Sequence, residues 1–518
     1  MTAIKILWAD DEIDLLKPQI IFLEQKGYAV EPVSNGHDAL DKCKTEHYDL
    51  IFLDEHMPGI SGLETLSRIK SLNNDVPVVM ITKNEEENIM EEAIGAQIAD
   101  YLIKPVKPNQ ILLSIKKIID NKKLVSEKTT TSYRQEFQNI MMELNNVNSH
   151  QEWVELYRKL IYWELELEKA DNADMKNILD MQKAEANKEF FKFITKNYLK
   201  WLKEEGKEST PTLSYSLFKN KIYPLLNDGV PTFFLLVDNL RYDHYKMIES
   251  LIKKDFRKIS EDYFFSILPT TTQYSRNAIF SGLMPGEIDK KYPEKWFYDD
   301  ENAGKNLYED FFLNEQFKRN KINLKTSYTK ITNHKSGKDL EDTILNLMNN
   351  DFNVIVYNFV DMLSHARTEM EVLKELASDE AAYRSLTMSW FDHSPLLNAL
   401  QKLKERKVRI IITSDHGTVR VQNPSKIIGD KATTTNLRYK TGKNLNFNEK
   451  EVFFIKNPED ALLPKSNLSS TYVFAKEDYY FCYPNNYNHF ANYYRNTFQH
   501  GGVSIEEVIV PVAVFESK

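Results

Sequence analysis

Residues 231–238 read Pro231-Thr232-Phe233-Phe234-Leu235-Leu236-Val237-Asp238, an apolar run without polar alternation, closed by an aspartate. A run of this length and continuity reads as a strand buried on both faces, the kind found in parallel sheets covered by helices. Two further segments repeat the arrangement. Asn353–Asn358 precedes Asp361, and Val408–Thr413 precedes Ser414-Asp415-His416-Gly417; a last strand is expected at Val508–Val514. Ligand sites in parallel α/β sheets form beyond the carboxyl ends of the strands, so three carboxylates placed there can converge.

Upstream, the texture changes twice. From 121 to about 205 glycine and proline are absent, and apolar residues recur at helical spacing: Phe137, Ile140, Met141, Leu144; Trp153, Leu156, Leu160, Leu167; Phe190, Ile194, Tyr198, Trp201. Polar breaks at Asn145–His150 and Asp171–Asp174 divide this stretch, which predicts a small helical bundle. Residues 1–120 again alternate buried strands (Ile4–Ala9, Asp49–Leu53, Val76–Ile81, Tyr101–Ile103) with amphipathic helices, so a doubly wound sheet is expected. The predicted organisation is an α/β chain with units at 1–120, 121–205 and 206–518.

Composition narrows the classes. The 518 residues carry 67 Lys plus Arg against 76 Asp plus Glu, a net charge of −9, which argues against coating nucleic acid by bulk charge. No apolar run reaches membrane-spanning length, no signal peptide is expected, and membrane insertion is not foreseen. The two cysteines, Cys43 and Cys482, fit a reducing, cytoplasmic setting and exclude a cysteine-type zinc site.

In the first unit each strand ends in a reactive group: Asp10-Asp11, then Asp54 in Leu53-Asp54-Glu55-His56-Met57-Pro58-Gly59, then Thr82, then Lys104-Pro105. A hard cation such as Mg2+ needs several oxygens, which Asp10, Asp11, Asp54 and the His56 carbonyl can supply. Asp54 is then a nucleophile toward a phosphoryl group, with Lys104 neutralising charge and Thr82 donating a hydrogen bond. The region resembles the receiver domain of two-component response regulators. That resemblance implies phosphorylation of Asp54 by a cognate histidine kinase, an acidic pocket at Asp10 and Asp11, a switch pair at Thr82 and Tyr101, and phosphorylation-promoted homodimerisation.

The third unit offers three aspartates, three histidines and hydroxyls: Asp238; Thr270-Thr271-Thr272 with Ser275-Arg276-Asn277 and Ser281-Gly282-Leu283; Asp361 and His365, four apart as one helical turn allows; Asp415-His416; and His500-Gly501-Gly502. Imidazole with carboxylate suits Zn2+, and two such ions can clamp the attacking and leaving oxygens of phosphoryl transfer. A threonine needs a nearby metal to become a nucleophile. In this order the motifs resemble the alkaline phosphatase superfamily, specifically its PglZ branch and the nucleotide pyrophosphatase/phosphodiesterases. The resemblance implies one zinc ion on Asp238, Asp415 and His416, and a second on Asp361, His365 and His500. It puts the nucleophile at Thr272, with Thr271 as the alternative. The diesterases' oxyanion-stabilising Asn falls on Ser275 here, so Asn277 or Arg276 is expected to take that role.

The stretch Arg438-Tyr439-Lys440-Thr441-Gly442-Lys443 reads as a solvated basic loop or a grip for a polyanion, and His334, His393 and His489 as loop or structural residues. The whole order resembles response regulators with a PglZ output linked to type IX secretion. It implies a zinc-dependent phosphodiesterase or phosphatase, with a nucleotide or oligonucleotide diester preferred as substrate. The alternative is an interaction module that binds a sigma factor or a secretion-system component, with the metals as structural ties.

Overall fold

The computed structural model describes residues 4–518 except 74–75, 84–97, 171–172, 205, 227, 299–305, 378, 430–432, 466 and 468, and except the side chains of 119–127, 173, 366–367, 369 and 371–373. Two compact units form: Met1–Arg134 with Lys169–Asn172, and Gln135–Glu168 with Ala173–Lys518.

The first unit holds five parallel strands, β1 (Lys5–Ala9), β2 (Ala29–Val33), β3 (Leu50–Asp54), β4 (Val78–Thr82) and β5 (Asp100–Ile103), in the order β2-β1-β3-β4-β5. The order reverses between β1 and β3, so a crevice opens at their carboxyl ends, where Asp10 and Asp54 stand. β3 and β4 are buried throughout because helices cover both faces. Two of those helices start on side-chain caps: Asn35 accepts from Asp38 N before Gly36–Thr45, and Ser61 accepts from Glu64 N before Gly62–Leu72. Gly62 is required there, since a Cβ would sit 2.4 Å from the Asp54 carbonyl oxygen.

Three helices follow, Asn121–Asn146, His150–Lys169 and Ala173–Lys203, separated at the polar breaks. The buried stripe of the last two does not close on itself alone. Phe190 and Trp201 put their rings against Phe265, Tyr157 lies against Tyr242, and the Tyr198 hydroxyl accepts from Leu268 N. These helices are therefore part of the second compact unit.

That unit is built on a six-stranded sheet: β6 (Thr232–Val237), β7 (Phe256–Phe265), β8 (Thr326–Ile331), β9 (Phe352–Tyr357), β10 (Arg409–Thr413) and the C-terminal strand Ile509–Ser517, in the order β7, C-terminal strand, β10, β6, β9, β8. β10, β6, β9 and β8 run parallel; the C-terminal strand is antiparallel to both its neighbours. β6, β9 and β10 are wholly buried and bring their carboxyl ends, with Asp238, Asp361 and Asp415 just beyond, to one edge. Three-stranded sheets formed by residues between 423 and 482 complete the unit.

Candidate phosphoryl pocket and metal centre

In the crevice of the first unit Lys104 Nζ lies 2.8 Å from Asp10 Oδ2 and 3.1 Å from Asp54 Oδ1. Asp54 is almost fully buried, and burial together with Asp10 pushes its carboxyl up to about 6. Carboxylate oxygens of Asp10, Asp11 and Glu12 come within 4.8 Å of one another. Glu12 was not foreseen; its only sequence signal is adjacency to the acid pair, and it also pairs with Lys83 at 2.7 Å. Thr82 is fully buried at the end of β4, and Tyr101 packs half-buried against the core. His56 is exposed after β3, leaving its carbonyl as the relevant group.

In the second unit six residues gather as two neighbouring triads. Ligand atoms of Asp238, Asp415 and His416 lie within 4.8 Å of one another, as do those of Asp361, His365 and His500. The rings of His416 and His500 stack at 4.3 Å, which joins the triads. Asp361 and His365 share one helix, Phe359–Glu369, with His365 Nε2 3.5 Å from Asp361 Oδ1. Backbone acceptors fix both buried imidazoles: His416 Nδ1 donates to Gly417 O (3.0 Å) and His500 Nδ1 to Thr270 O (3.2 Å), so each turns Nε2 toward the carboxylates. The first triad is buried; the second opens to solvent through His365.

These donors fit divalent cations. Asp361 Oδ1 is buried without a hydrogen bond among the described residues. Burial pushes Asp238 and Asp361 up to about 7; Asp415 strengthens the effect at Asp238, and Asp238 does so at Asp361. Such a cluster of buried carboxylates beside imidazoles is what a divalent cation relieves. Asp415 departs in the other direction: burial opposes its charge, but the Arg276 guanidinium and His416 hold it well below the usual range.

The hydroxyls separate clearly. Thr272 Oγ1 lies 3.3 Å from Asp238 Oδ1 and 3.2 Å from His416 Nε2, half-exposed at the start of the helical turn Thr272–Arg276. Thr271 Oγ1 is buried and has no hydrogen-bond partner among the described residues. Thr270 donates to Gly502 O and accepts from Gly501 N, anchoring the His500 loop. Ser275 is tied to Ser214, Ser266 and the Asp415 carbonyl, facing away from Thr272 Oγ1's partners.

Two expectations are corrected. Arg276 is not an oxyanion donor above Thr272: it is fully buried behind the aspartates and pairs with Asp238 Oδ2, with Asp415 Oδ2 (2.9 Å) and with Glu309 (3.4 Å). It offsets the charge of both aspartates and fixes their carboxylate planes. Asn277, next to it, is buried at the head of the helix Asn277–Ser281. The stretch 438–443 is neither a solvated loop nor a substrate grip through its first residues. Arg438 is buried against Glu507, and Lys440 lies in the strand Tyr439–Gly442 donating to Thr434 O at 2.7 Å.

A second buried charge cluster lies beside the centre. Arg384, without exposed surface, donates to Glu164 (2.7 Å) and Glu168 (2.6 Å) on the helix His150–Lys169, and to Asp243 (3.1 Å) five residues after Asp238. Asp243 is also bound by Arg241, which reaches Glu380 at 2.7 Å, and Glu164 by Lys183 at 2.7 Å.

Comparison with known proteins agrees with this anatomy. Residues 6–116 match the response regulator receiver domain model, 123–202 the PorX response regulator linker domain, and 217–515 the BREX system PglZ alkaline phosphatase-like domain. Among curated proteins, the transcriptional regulatory protein ResD of Bacillus subtilis is 34% identical over 115 residues, covering 22% of this chain and 48% of ResD. The CpxR homolog of Haemophilus influenzae is 37% identical over 117 residues, covering 22% and 50%. The chain thus spans about half the length of the curated relatives it matches. A CheY-like receiver structure from Methanospirillum hungatei is 28% identical, covers 23% of this chain and 96% of its own, and has a TM-score of 0.23. No described helix is long and apolar enough to cross a membrane. With a receiver, a PorX-type linker and, over more than half its length, a PglZ domain, the chain belongs to the PglZ family and has the architecture of a PorX-like response regulator.

Proposed function

We propose that the chain is a response regulator whose output domain is a zinc-dependent phosphodiesterase acting on nucleotide or oligonucleotide diesters, under control of Asp54 phosphorylation by a cognate histidine kinase. The observation that carries the reading is the pair of adjoining triads with the Thr272 hydroxyl against one of them. Asp238, Asp415 and His416 would hold one zinc ion and Asp361, His365 and His500 the other. Bound there, the ions supply Lewis-acid charge that favours the alkoxide of Thr272 and neutralises phosphoryl oxygens.

Thr272 Oγ1 attacks phosphorus, the ester bond to the leaving alcohol breaks, and water then cleaves the phosphothreonine to restore the hydroxyl. Its oxygen lies 3.3 Å from Asp238 Oδ1 and 3.2 Å from His416 Nε2, two atoms that would ligate the ion on that triad, so the charge there would lower its pKa and let the proton pass to solvent. Arg276 holds Oδ2 of both Asp238 and Asp415, and backbone N–H groups of Asn239 and His416 hold Asp415 Oδ1, so these carboxylates need no reorientation during turnover. In the receiver, Asp10, Asp11 and Asp54, with the His56 carbonyl, would hold Mg2+, and Lys104 stands ready to pair with the phosphoryl oxygens. Phosphorylation then favours a homodimer, and the PorX-type linker supports reading the chain as a regulator of type IX secretion.

The test is metal analysis with a diester hydrolysis assay on Thr272→Val and Thr271→Val. About two zinc ions per chain are expected in all forms. Turnover should fall at least ~10³-fold in Thr272→Val, in line with loss of a covalent nucleophile, and stay within a few-fold in Thr271→Val. Full activity in Thr272→Val would end the assignment.

A further inference from the structure

Beside the metal centre lies a cavity of about 250 Å³ that the catalytic residues do not use. It opens past the carboxyl ends of β8 and β9, the edge that also carries Asp238 and Asp361. One wall is flat and apolar: Phe359 and Trp390 stack with centroids 4.0 Å apart and planes 6° from parallel, and the half-exposed Met362 continues the surface. The opposite rim is polar. Two helices begin there, His334–Thr343 behind its cap Asn333 and Pro395–Lys402 behind its cap Ser394, and both point their amino ends at the cavity. Helix amino ends favour anionic or carbonyl oxygens.

A further group points to a ligand. Tyr357 is only 5% exposed, lines the cavity, and its hydroxyl has no hydrogen-bond partner among the described residues. His334 likewise has none, and His393 donates from Nδ1 to Ser389 O, which leaves Nε2 as an acceptor. The site thus combines a stacking surface, a hydroxyl, imidazole acceptors and two helix amino ends.

The cavity is joined to the chemistry through the backbone. Phe359 and Met362 lie on the helix that carries Asp361 and His365, and Met362 and His365, three apart, are neighbours on its surface. On the other side the Tyr357 carbonyl accepts from Asp238 N at 2.9 Å. A flat group on Phe359 and Trp390 is therefore about one helical turn from the open, His365 side of the metal centre.

We infer that this cavity binds one nucleotide unit of the substrate next to the scissile phosphate, with the base on the Phe359–Met362–Trp390 wall and its oxygens toward the helix amino ends at His334 and Pro395. The inference rests on the phosphodiesterase reading and names the base as the feature that the enzyme selects. Base stacking on aromatic side chains is worth about 1–3 kcal/mol per base, roughly 5- to 150-fold in binding.

The test uses the zinc-loaded full chain on a deoxydinucleotide and on the same diester with one base removed. Trp390→Ala should raise KM for the dinucleotide at least tenfold, leave kcat within about threefold and leave KM for the abasic diester unchanged. His334→Ala, at an exposed position, should raise the dinucleotide KM several-fold, and Trp390→Phe should retain most of the affinity. Equal effects on both diesters, or none on either, would overturn the inference. A second readout, quenching of tryptophan fluorescence by a mononucleotide, separates the two levels. Saturable quenching lost in Trp390→Ala, without hydrolysis of any diester, would keep the pocket and remove the enzymatic reading. Diester hydrolysis with no base dependence and no quenching would do the reverse.

Discussion

Arg384→Met removes a guanidinium that joins helix His150–Lys169 to the segment after Asp238. The side chain is fully buried, and so are two of its three partners, Glu164 and Asp243. Breaking a buried ion pair from one side costs about 3–5 kcal/mol, because the carboxylates left behind stay out of water. Lys183 still neutralises Glu164 and Arg241 still neutralises Asp243, which places the cost at the low end, about 3 kcal/mol. Glu168 is a third exposed and adds little. The second unit has about 380 residues. At about 2.1 cal/mol/K per residue, its unfolding entropy is about 0.8 kcal/mol/K, so Tm should fall by about 4 °C.

The acid limb supplies an independent check. Glu164 is held down to about 2: burial opposes its charge, and Lys183 and Arg384 outweigh burial. Its contribution is present above the ordinary carboxylate range and is lost as pH falls toward 2. Without Arg384 the carboxyl takes its proton at higher pH, so the variant should lose less stability on acidification than the parent. Calorimetry from pH 3 to 7, with Glu164→Gln and the double variant, measures both effects. A Tm shift below 1 °C, or additive single effects, would refute the clamp.

Lys440 is pushed down to about 8 by burial, so between that pH and its ordinary value of 10.5 the unfolded chain binds more protons than the folded one. Stability should therefore rise as pH climbs through this window, and Lys440→Met should lack that slope in denaturant titrations at pH 8 and 10. Asp54 must lose its proton to take a cation, so calorimetric Mg2+ affinity should weaken about fivefold between pH 6 and 5 and change little above pH 7; constant affinity would contradict the assignment. Beryllium fluoride with Mg2+ should shift the chain to a dimer in sedimentation, and Asp54→Asn should remain a monomer under the same conditions.

Much of this anatomy was legible because it obeys short-range rules. Buried central strands advertise themselves as apolar runs, as at Phe233–Val237 and Ile410–Ile412, and the residues just beyond them fall at the sheet's carboxyl edge. Asp361 and His365 could be paired from helical spacing alone. Edge strands hid themselves: β2 (AVEPV), β7 (FRKISEDYFF) and β8 (TSYTKI) mix charge with apolar residues because one side meets solvent or a single neighbour. Arg276 and Arg438 were misread for a different reason. Their counter-ions, Asp415 and Glu507, are 139 and 69 residues away, and no local pattern marks a guanidinium as buried. The cavity histidines were passed over for the same reason: His334, expected in a loop, opens the helix His334–Thr343, His393 closes the helix Glu380–Asp392, and only the fold brings the two to one rim.

The seven residues Asp238 to His244 carry a carboxylate of the candidate metal centre at one end and, at the other, Asp243, the output-domain side of the Arg384 clamp, with its second partner Arg241. This has a bearing on how such chains can be recombined. A breakpoint between the helix His150–Lys169 and the PglZ domain would inherit unmatched buried charges on both fragments. A breakpoint within the helix Asn121–Asn146, near Arg134 where the two compact units part, crosses none of these pairs. The joint that tolerates exchange is thus on the receiver side of these charges, while the helix His150–Lys169 stays tied to its output domain by them.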